Sequence, residues 1–158
     1  MKKHYVRTYD NTLSADFCRQ LIAIYQENES KHERYTSGRP TFTQLIFSDL
    51  AGQYPTQHST LIDTAQRYYR QYIQDTNSDH FPNIVALENF KIKCYRNNGI
   101  DQFMEHIDVA TPESAHRCLA FFWYLNDVNL GGETIFTGAE RIAIKPKIGR
   151  LLVFPPFW

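Results

Sequence analysis

Cysteine is scarce in this chain and odd in number. Cys18, Cys94 and Cys118 are the three in 158 residues, too few and too scattered for a disulfide framework, so they read as free thiols in a reducing compartment. Long apolar runs are missing as well, and nothing approaches the ~20 residues of a membrane-spanning helix. The opening Met1-Lys2-Lys3-His4-Tyr5 carries charge with no apolar stretch behind it, so it does not read as a signal peptide. Neither sign of charge is in excess: 17 Lys plus Arg face 17 Asp plus Glu, and no bulk field draws the chain to nucleic acid or to an anionic membrane. A soluble, cytoplasmic protein is expected. What is plentiful is core material. At 42% hydrophobic and 15% aromatic residues, the chain can fill one domain core and does not have the composition of a disordered segment.

The first half of the chain reads as helical support. Tyr5 to Tyr9 suits a short strand closed by Asp10 and Asn11. Ser14 offers an N-cap for a helix of three to four turns that fades near Asn28, with Phe17, Leu21, Ile24 and Tyr25 at helical spacing and Cys18 and Ile22 widening the stripe. Residues 29–41 lose all periodicity and read as a long polar connection, the kind that serves as a lid or as a plain surface loop. Thr43 to Phe47 resumes as a strand, with Gly52 and Pro55 punctuating its exit. The spacing of Leu61, Ala65, Tyr68 and Tyr72 predicts a second helix from Thr60 to about Gln74, with Asp63 completing a weak capping box. Asn77 to Pro82 is turn material.

From Ala86 onward the period changes to that of strands. Phe90, Ile92 and Cys94 alternate with Lys91, Lys93 and Tyr95, so the apolar set should pack under the helices while Tyr95 faces the other way. Leu119 to Leu125 is apolar on both faces, as in a strand buried between two layers. Further strands are expected at about 133–136, 141–144 and 150–154, after a turn at Gly131-Gly132. The fold class expected is α+β: a double-stranded β-helix, or jelly roll, backed by two N-terminal helices. All of residues 1–158 form one domain in this reading, with 1–85 as support and 86–158 as the jelly-roll half.

The chemistry centres on His106-Ile107-Asp108. On an extended strand His106 and Asp108 share a face while Ile107 points away. An imidazole nitrogen beside a carboxylate oxygen makes two-thirds of the 2-His-1-carboxylate arrangement that holds non-heme Fe(II) and leaves positions open for substrate and oxygen. On the bare tripeptide an exposed strand edge is the plainer reading. Its surroundings change that: Cys94-Tyr95-Arg96-Asn97-Asn98-Gly99 upstream, then Arg117, Phe121 to Val128, Gly131-Gly132-Glu133-Thr134-Ile135-Phe136, and Ile144 to Phe154 downstream. In this order and at these spacings the segments, over residues 87–158, resemble the catalytic domain of the prolyl 4-hydroxylase-like, Fe(II)- and 2-oxoglutarate-dependent dioxygenases.

The resemblance implies a double-stranded β-helix with Fe(II) held by His106 and Asp108, and hydroxylation of a C–H bond, such as that of a peptidyl proline, coupled to decarboxylation of 2-oxoglutarate. It implies dioxygen and 2-oxoglutarate as co-substrates, ascorbate as a further candidate cofactor, and an unidentified peptide or small molecule as substrate. It also implies that Tyr95 and Tyr124 hydrogen-bond the distal carboxylate of 2-oxoglutarate; the plainer reading makes both of them core tyrosines. The family pattern places a second metal histidine beyond Phe154 and a basic anchor after it. No histidine follows Phe154 in this sequence, so the chain is expected to continue past Trp158 with one. Lys93, on the Tyr95 face by alternation, is a substitute for the basic anchor. His116, in the polar stretch 111–116, reads as a surface residue. The alternative is a catalytically silent jelly-roll module that binds a partner and lacks a complete metal triad.

Overall fold

A single helical turn, α1 (Lys2–Tyr5), and a short strand, β1 (Arg7–Tyr9), lead into helix α2 (Ala15–Glu27) in the computed structural model, which describes residues 2–36, 40–82, 86–137 and 140–157. Ser14 starts α2 as its side chain suggests: its backbone is extended (φ −69°, ψ 153°) and its hydroxyl accepts from the Phe17 amide at 3.1 Å. The helix buries Cys18, Leu21 and Ile24 and stops at Asn28, whose side-chain amide donates back to the Ile24 carbonyl at 2.8 Å.

The polar connection that follows is more ordered than its sequence suggests. Glu33–Tyr35 forms β2, paired antiparallel with β3 (Phe42–Ile46), which in turn pairs with β4 (Lys91–Cys94). β2 is exposed at all three positions, so it has no apolar alternation by which to be recognised; residues 37–39 of the expected loop lie outside the described residues. The second long helix also differs from the expectation. α3 runs Pro55–Thr76, five residues earlier than Thr60, because Pro55 opens the helix, where its fixed φ is already helical. The Thr60 hydroxyl instead bonds the Thr56 carbonyl inside the helix at 2.8 Å. Asn77 closes α3 in the left-handed region at φ 50°.

A second sheet has the order β1-β8-β5, all antiparallel, with β5 at Ala120–Trp123 and β8 at Leu151–Phe154. A hairpin pairs β6 (Thr134–Phe136) with β7 (Ile142–Ile144). Central β8 is apolar on both faces for a reason visible in its neighbours. Leu151 and Val153 pack with Tyr72 of α3, whereas Leu152 packs with Tyr124, Phe136 and the hairpin. A third cluster joins α2 to β3 through Leu21, Ile24, Leu45, Phe47 and Leu61, with Phe90 and Ile92 against it. The apolar alternation of β4 therefore does point under the helices. The result is a mixed α+β fold of antiparallel sheets backed by α2 and α3. None of the described helices is long and apolar enough to cross a membrane, and the three cysteines are unpaired.

Candidate metal centre

The segment between β4 and β5 carries His106 and Asp108, and it is not a strand. Apart from a bridge between Thr41 and Gln102 and a short 3-10 helix at Pro112–Ser114 it runs as turns and irregular chain, which corrects the expectation of an extended strand here. Local chemistry explains the difference. The Asn98 side-chain oxygen accepts from the amides of Ile100 and Asp101 at 2.9 and 2.8 Å, folding the chain around Gly99, which sits at φ 70°. The Asp101 carboxylate then takes both guanidinium nitrogens of Arg34, the Arg96 amide at 3.0 Å and the Asn98 amide group at 3.2 Å. Arg34 above all holds Asp101 well below the usual carboxylate range. The Thr41 hydroxyl donates to the Ile100 carbonyl at 2.6 Å. This knot ties the approach to His106 onto β2 and β3.

The far side of the pair is tied as firmly. The amides of Asp108 and Val109 both donate to the Pro156 carbonyl, at 3.0 and 3.3 Å. Arg117 donates through Nη1 to the Asp108 carbonyl at 3.1 Å while its Nε donates to Glu88 at 2.6 Å. The Arg117 partner lowers the pKa of Glu88. With its own amide and carbonyl engaged elsewhere, Asp108 cannot join a ladder, and the bend this imposes swings its side chain toward His106.

The side chains still converge. His106 Nε2 lies 3.2 Å from Asp108 Oδ1. His106 Nδ1 is 2.7 Å from the Met104 carbonyl, an acceptor only, so Nδ1 carries the proton and the Nε2 lone pair is left for a metal. The Phe103 ring lies flat on the imidazole, centroids 3.6 Å apart and planes 10° from parallel, which fixes the ring's orientation. Two acceptors at this distance repel unless a proton or a metal ion lies between them. Two ligands bound at about 2.0–2.2 Å and at right angles on one metal stand roughly 3 Å apart. The pair therefore fits two adjacent positions of a metal site. No cluster of three or more His, Cys, Asp or Glu side chains able to hold a metal occurs among the described residues. His116 is not a third ligand, for its side chain is 71% exposed and its Nε2 lies 3.5 Å from Glu88.

Tyr95 follows β4 with the orientation expected of it, its ring 5.4 Å from that of Phe42. Burial, with a further contribution from the Asp108 carboxylate, pushes its hydroxyl up to about 12. Lys93 shares that face. Its ammonium stands over the rings of Phe42 at 4.7 Å and Phe103 at 5.2 Å. The residue keeps solvent access, yet the ring-lined surroundings of its charged end, with some repulsion from Lys91, pull its pKa down, against an opposing pull from Asp108. Tyr124 sits apart from this group. It is buried with Phe136 and Leu152, and its hydroxyl shares a hydrogen bond with Thr134 at 2.6 Å. An open depression of about 280 Å³ adjoins Asp108, lined by Thr111, Glu113, Ser114 and Arg117 among others.

The supports were not visible in the sequence as supports. Arg117 stands out there only as part of a motif, and its partner Glu88 lies 29 residues away. The pairing of Arg34 with Asp101 spans 67 residues. Phe103 had a local signal, an aromatic three residues before a histidine, which is too common to single out.

Comparison with known proteins bears on the same segment. Residues 90–158 match the model of the 2OG-Fe(II) oxygenase superfamily; this span holds Lys93, Tyr95, His106, Asp108, Arg117 and Tyr124. No curated protein matches the chain. Among solved structures, the viral collagen prolyl hydroxylase of Paramecium bursaria Chlorella virus-1, in its 2OG complex, aligns with a TM-score of 0.68 over 96% of this chain and 77% of its own, at 20% identity. A prolyl-4-hydroxylase of Pseudomonas putida aligns with a TM-score of 0.60 over 98% of this chain and 81% of its own, at 18% identity. Residues 90–158 thus resemble the 2OG-Fe(II) oxygenase superfamily, and nearly the whole chain shares its fold with the two prolyl hydroxylase structures.

Proposed function

We propose that this chain is an Fe(II)- and 2-oxoglutarate-dependent dioxygenase that hydroxylates a C–H bond, with a peptidyl proline or a similar residue as the substrate class. The observation that carries the reading is the His106 Nε2 to Asp108 Oδ1 separation of 3.2 Å, with Nδ1 tied to the Met104 carbonyl. In this reading the antiparallel strands form a double-stranded β-helix around the site, and His106 and Asp108 hold the iron. The bound iron and 2-oxoglutarate supply oxygen activation coupled to release of succinate. The protein's own groups do the rest. Phe103 and Met104 fix the imidazole, Arg117 and the Pro156 carbonyl fix Asp108, and Tyr95 offers a hydroxyl to the co-substrate. Tyr124, whose hydroxyl shares a hydrogen bond with Thr134 and donates to the Ile144 carbonyl at 3.5 Å, is the second hydroxyl proposed for 2-oxoglutarate. Ascorbate enters as a reductant for the iron. The proline substrate class is supported by the likeness in fold to two prolyl hydroxylases, one of them in a 2OG complex.

Mn(II) uptake by calorimetry, followed by succinate release with Fe(II) against a panel of proline-containing peptides and free amino acids, tests the reading. With a chain that carries the expected histidine past Trp158, stoichiometric Mn(II) binding, and succinate matched by one oxygen atom gained in a substrate, are expected. A second reading, a silent jelly-roll module that binds a partner, is favoured by one observation, the absence of a three-ligand cluster among the described residues. Failure to take up Mn(II) together with no succinate would select it.

A further inference from the structure

We infer that the groove between α3 and residues 86–90 is a docking site for an extended, acidic peptide segment of a partner protein. The groove holds about 810 Å³, the size of a built binding site, and shares no lining residue with the depression beside Asp108. One side is a stripe of α3. His58, Ile62, Ala65, Tyr69 and Arg70 line it, set on one helix face by their three- and four-residue spacing. From His58 to Arg70 the helix rises about 18 Å, the length of about five residues of strand.

The other side sets the shape of the occupant. Residues 86–90 run without helix, turn or bend into β4, and the ladder with β3 begins only at Lys91. Ser48 takes the amide and the carbonyl of Phe90. Before Phe90, no protein group among the described residues hydrogen-bonds the amides or carbonyls of Ala86, Leu87, Glu88 and Asn89, and all four residues are exposed. A straight run of free backbone groups beside an apolar helix stripe suits an added strand. Its backbone pairs with the run while alternate side chains enter the groove over Ile62 and Ala65. A helical partner has no free backbone groups to offer. Charge sets the chemistry. Glu88 is the acidic residue of the lining, and Arg117 already holds it at 2.6 Å. Arg70 has no hydrogen bond or ion pair among the described residues, and the His58 ring meets only Phe47 and Phe90. The free charge of the groove is therefore positive, and an acidic side chain on the incoming segment answers it.

Without added metal, the chain would be titrated with fluorescein-labelled peptides of about seven residues that alternate valine with threonine and carry one central glutamate or lysine. Saturable binding of the glutamate peptide, tighter than that of the lysine peptide by about tenfold or more, is expected, with the order reversed in Arg70→Glu. Methylating every second backbone nitrogen of the peptide should weaken binding by about tenfold or more in one of the two possible registers. Leu87→Pro removes one amide of the run and should do the same, whereas Leu87→Ala keeps that amide and should bind within about threefold of wild type. Thermal midpoints confirm that the variants are folded; where Leu87→Pro is not, the methylated peptides decide. The proposal is overturned if neither peptide saturates below about 1 mM, or if Arg70→Glu leaves their order unchanged. It is overturned equally if both methylated forms bind as well as the parent, or if an alanine-rich, helix-forming peptide with the same glutamate binds more tightly. A dimer of the chain that Arg70→Glu dissociates would give the groove to a second copy and overturn it too.

Discussion

Replacing Gly149 by alanine should destabilise the chain more than any other single glycine-to-alanine change in the described residues, because two penalties coincide there. Gly149 sits at φ +73°, and a Cβ built on it would stand 2.2 Å from the Leu13 carbonyl oxygen. Neither partner can withdraw freely. The amides of Thr12 and Leu13 donate to the Gly149 carbonyl at 2.9 and 3.4 Å, and the Gly149 amide donates to the Tyr124 carbonyl at 2.9 Å. Leu13 is also part of the α2 cluster. The left-handed backbone costs a non-glycine residue about 1–2 kcal/mol, and forcing a methyl into a packed contact costs about 1–3 kcal/mol more. The total of about 2–5 kcal/mol corresponds to roughly 5–15 °C in thermal midpoint for a chain of this size. Two controls separate the penalties. Gly99 has φ +70° with nothing near its Cβ direction, so Gly99→Ala should show the backbone cost alone; Gly52 has open space and no positive φ, so Gly52→Ala should be close to neutral. Urea unfolding followed by circular dichroism reads all three on one scale. If Gly149→Ala loses no more stability than Gly99→Ala, the close approach of residues 11–13 to the turn before β8 is wrong.

Replacing His106 or Asp108 by alanine should reduce Mn(II) affinity by well over tenfold. Stability should change by no more than about 1.5 kcal/mol, since the side chains are 39% and 35% exposed and His106→Ala loses only the Phe103 stack and the bond to the Met104 carbonyl; normal Mn(II) binding by either variant would refute the site. Arg117→Met should weaken Mn(II) binding by about tenfold through a loosened Asp108 carbonyl, with the fold retained by circular dichroism. Unchanged affinity would show that Arg117 serves only Glu88. Asp10 takes Arg150 at 2.6 Å and Lys147 at 2.8 Å, which pull its pKa from 3.8 to about 2. A depressed carboxyl stabilises the fold above its unfolded pKa and ceases to as pH falls through the folded one, so Asp10→Asn should be less stable than wild type at pH 7 by about 1 kcal/mol, after discounting for an exposed pair. That gap should close between pH 4 and pH 2 in urea titrations, and a gap independent of pH would exclude the ion pairs as its cause.

Much of the frame could be read from the sequence because its signals are local. The Ser14 cap acts on a residue three positions away, and the apolar stripes of α2 and α3 repeat every turn. Pro55 misled because proline both ends strands and begins helices, and only the chain after it decides which. β2 was illegible because Glu33, Arg34 and Tyr35 are all exposed; their pairing with β3 is a property of the sheet, with no face to bury. At the site, the His106-x-Asp108 spacing identified the pair for an incomplete reason. Strand alternation would put both side chains on one face, but the actual chain bends, and the two meet because Pro156 and Arg117 hold the Asp108 backbone. Those partners lie far along the sequence, where a charge or a carbonyl gives no sign of what it will bind.

A pair of candidate ligands on irregular chain needs a rigidity that a strand would have supplied. Here it comes from the two ends of the segment. Upstream, Asp101 collects Arg34, Arg96 and Asn98, joining the turn at 98–101 to the edge strand β2. Downstream, Asp108 is held through both of its backbone polar groups, by the stretch just after β8 and by Arg117 ahead of β5. Single hydrogen bonds contribute about 1 kcal/mol each and those to charged groups about 1.5–3 kcal/mol, so no one tie dominates and loss of one should loosen the site rather than unfold it. Such ties also act as a unit, and removing both ends should cost metal affinity by more than the product of the separate losses. The shift from 3.2 Å to a separation too wide for one ion is about an ångström, within the freedom of an unrestrained loop. Edge strand β2 thus has a part in the candidate site without touching it: through Arg34 it sets where the chain bearing His106 begins.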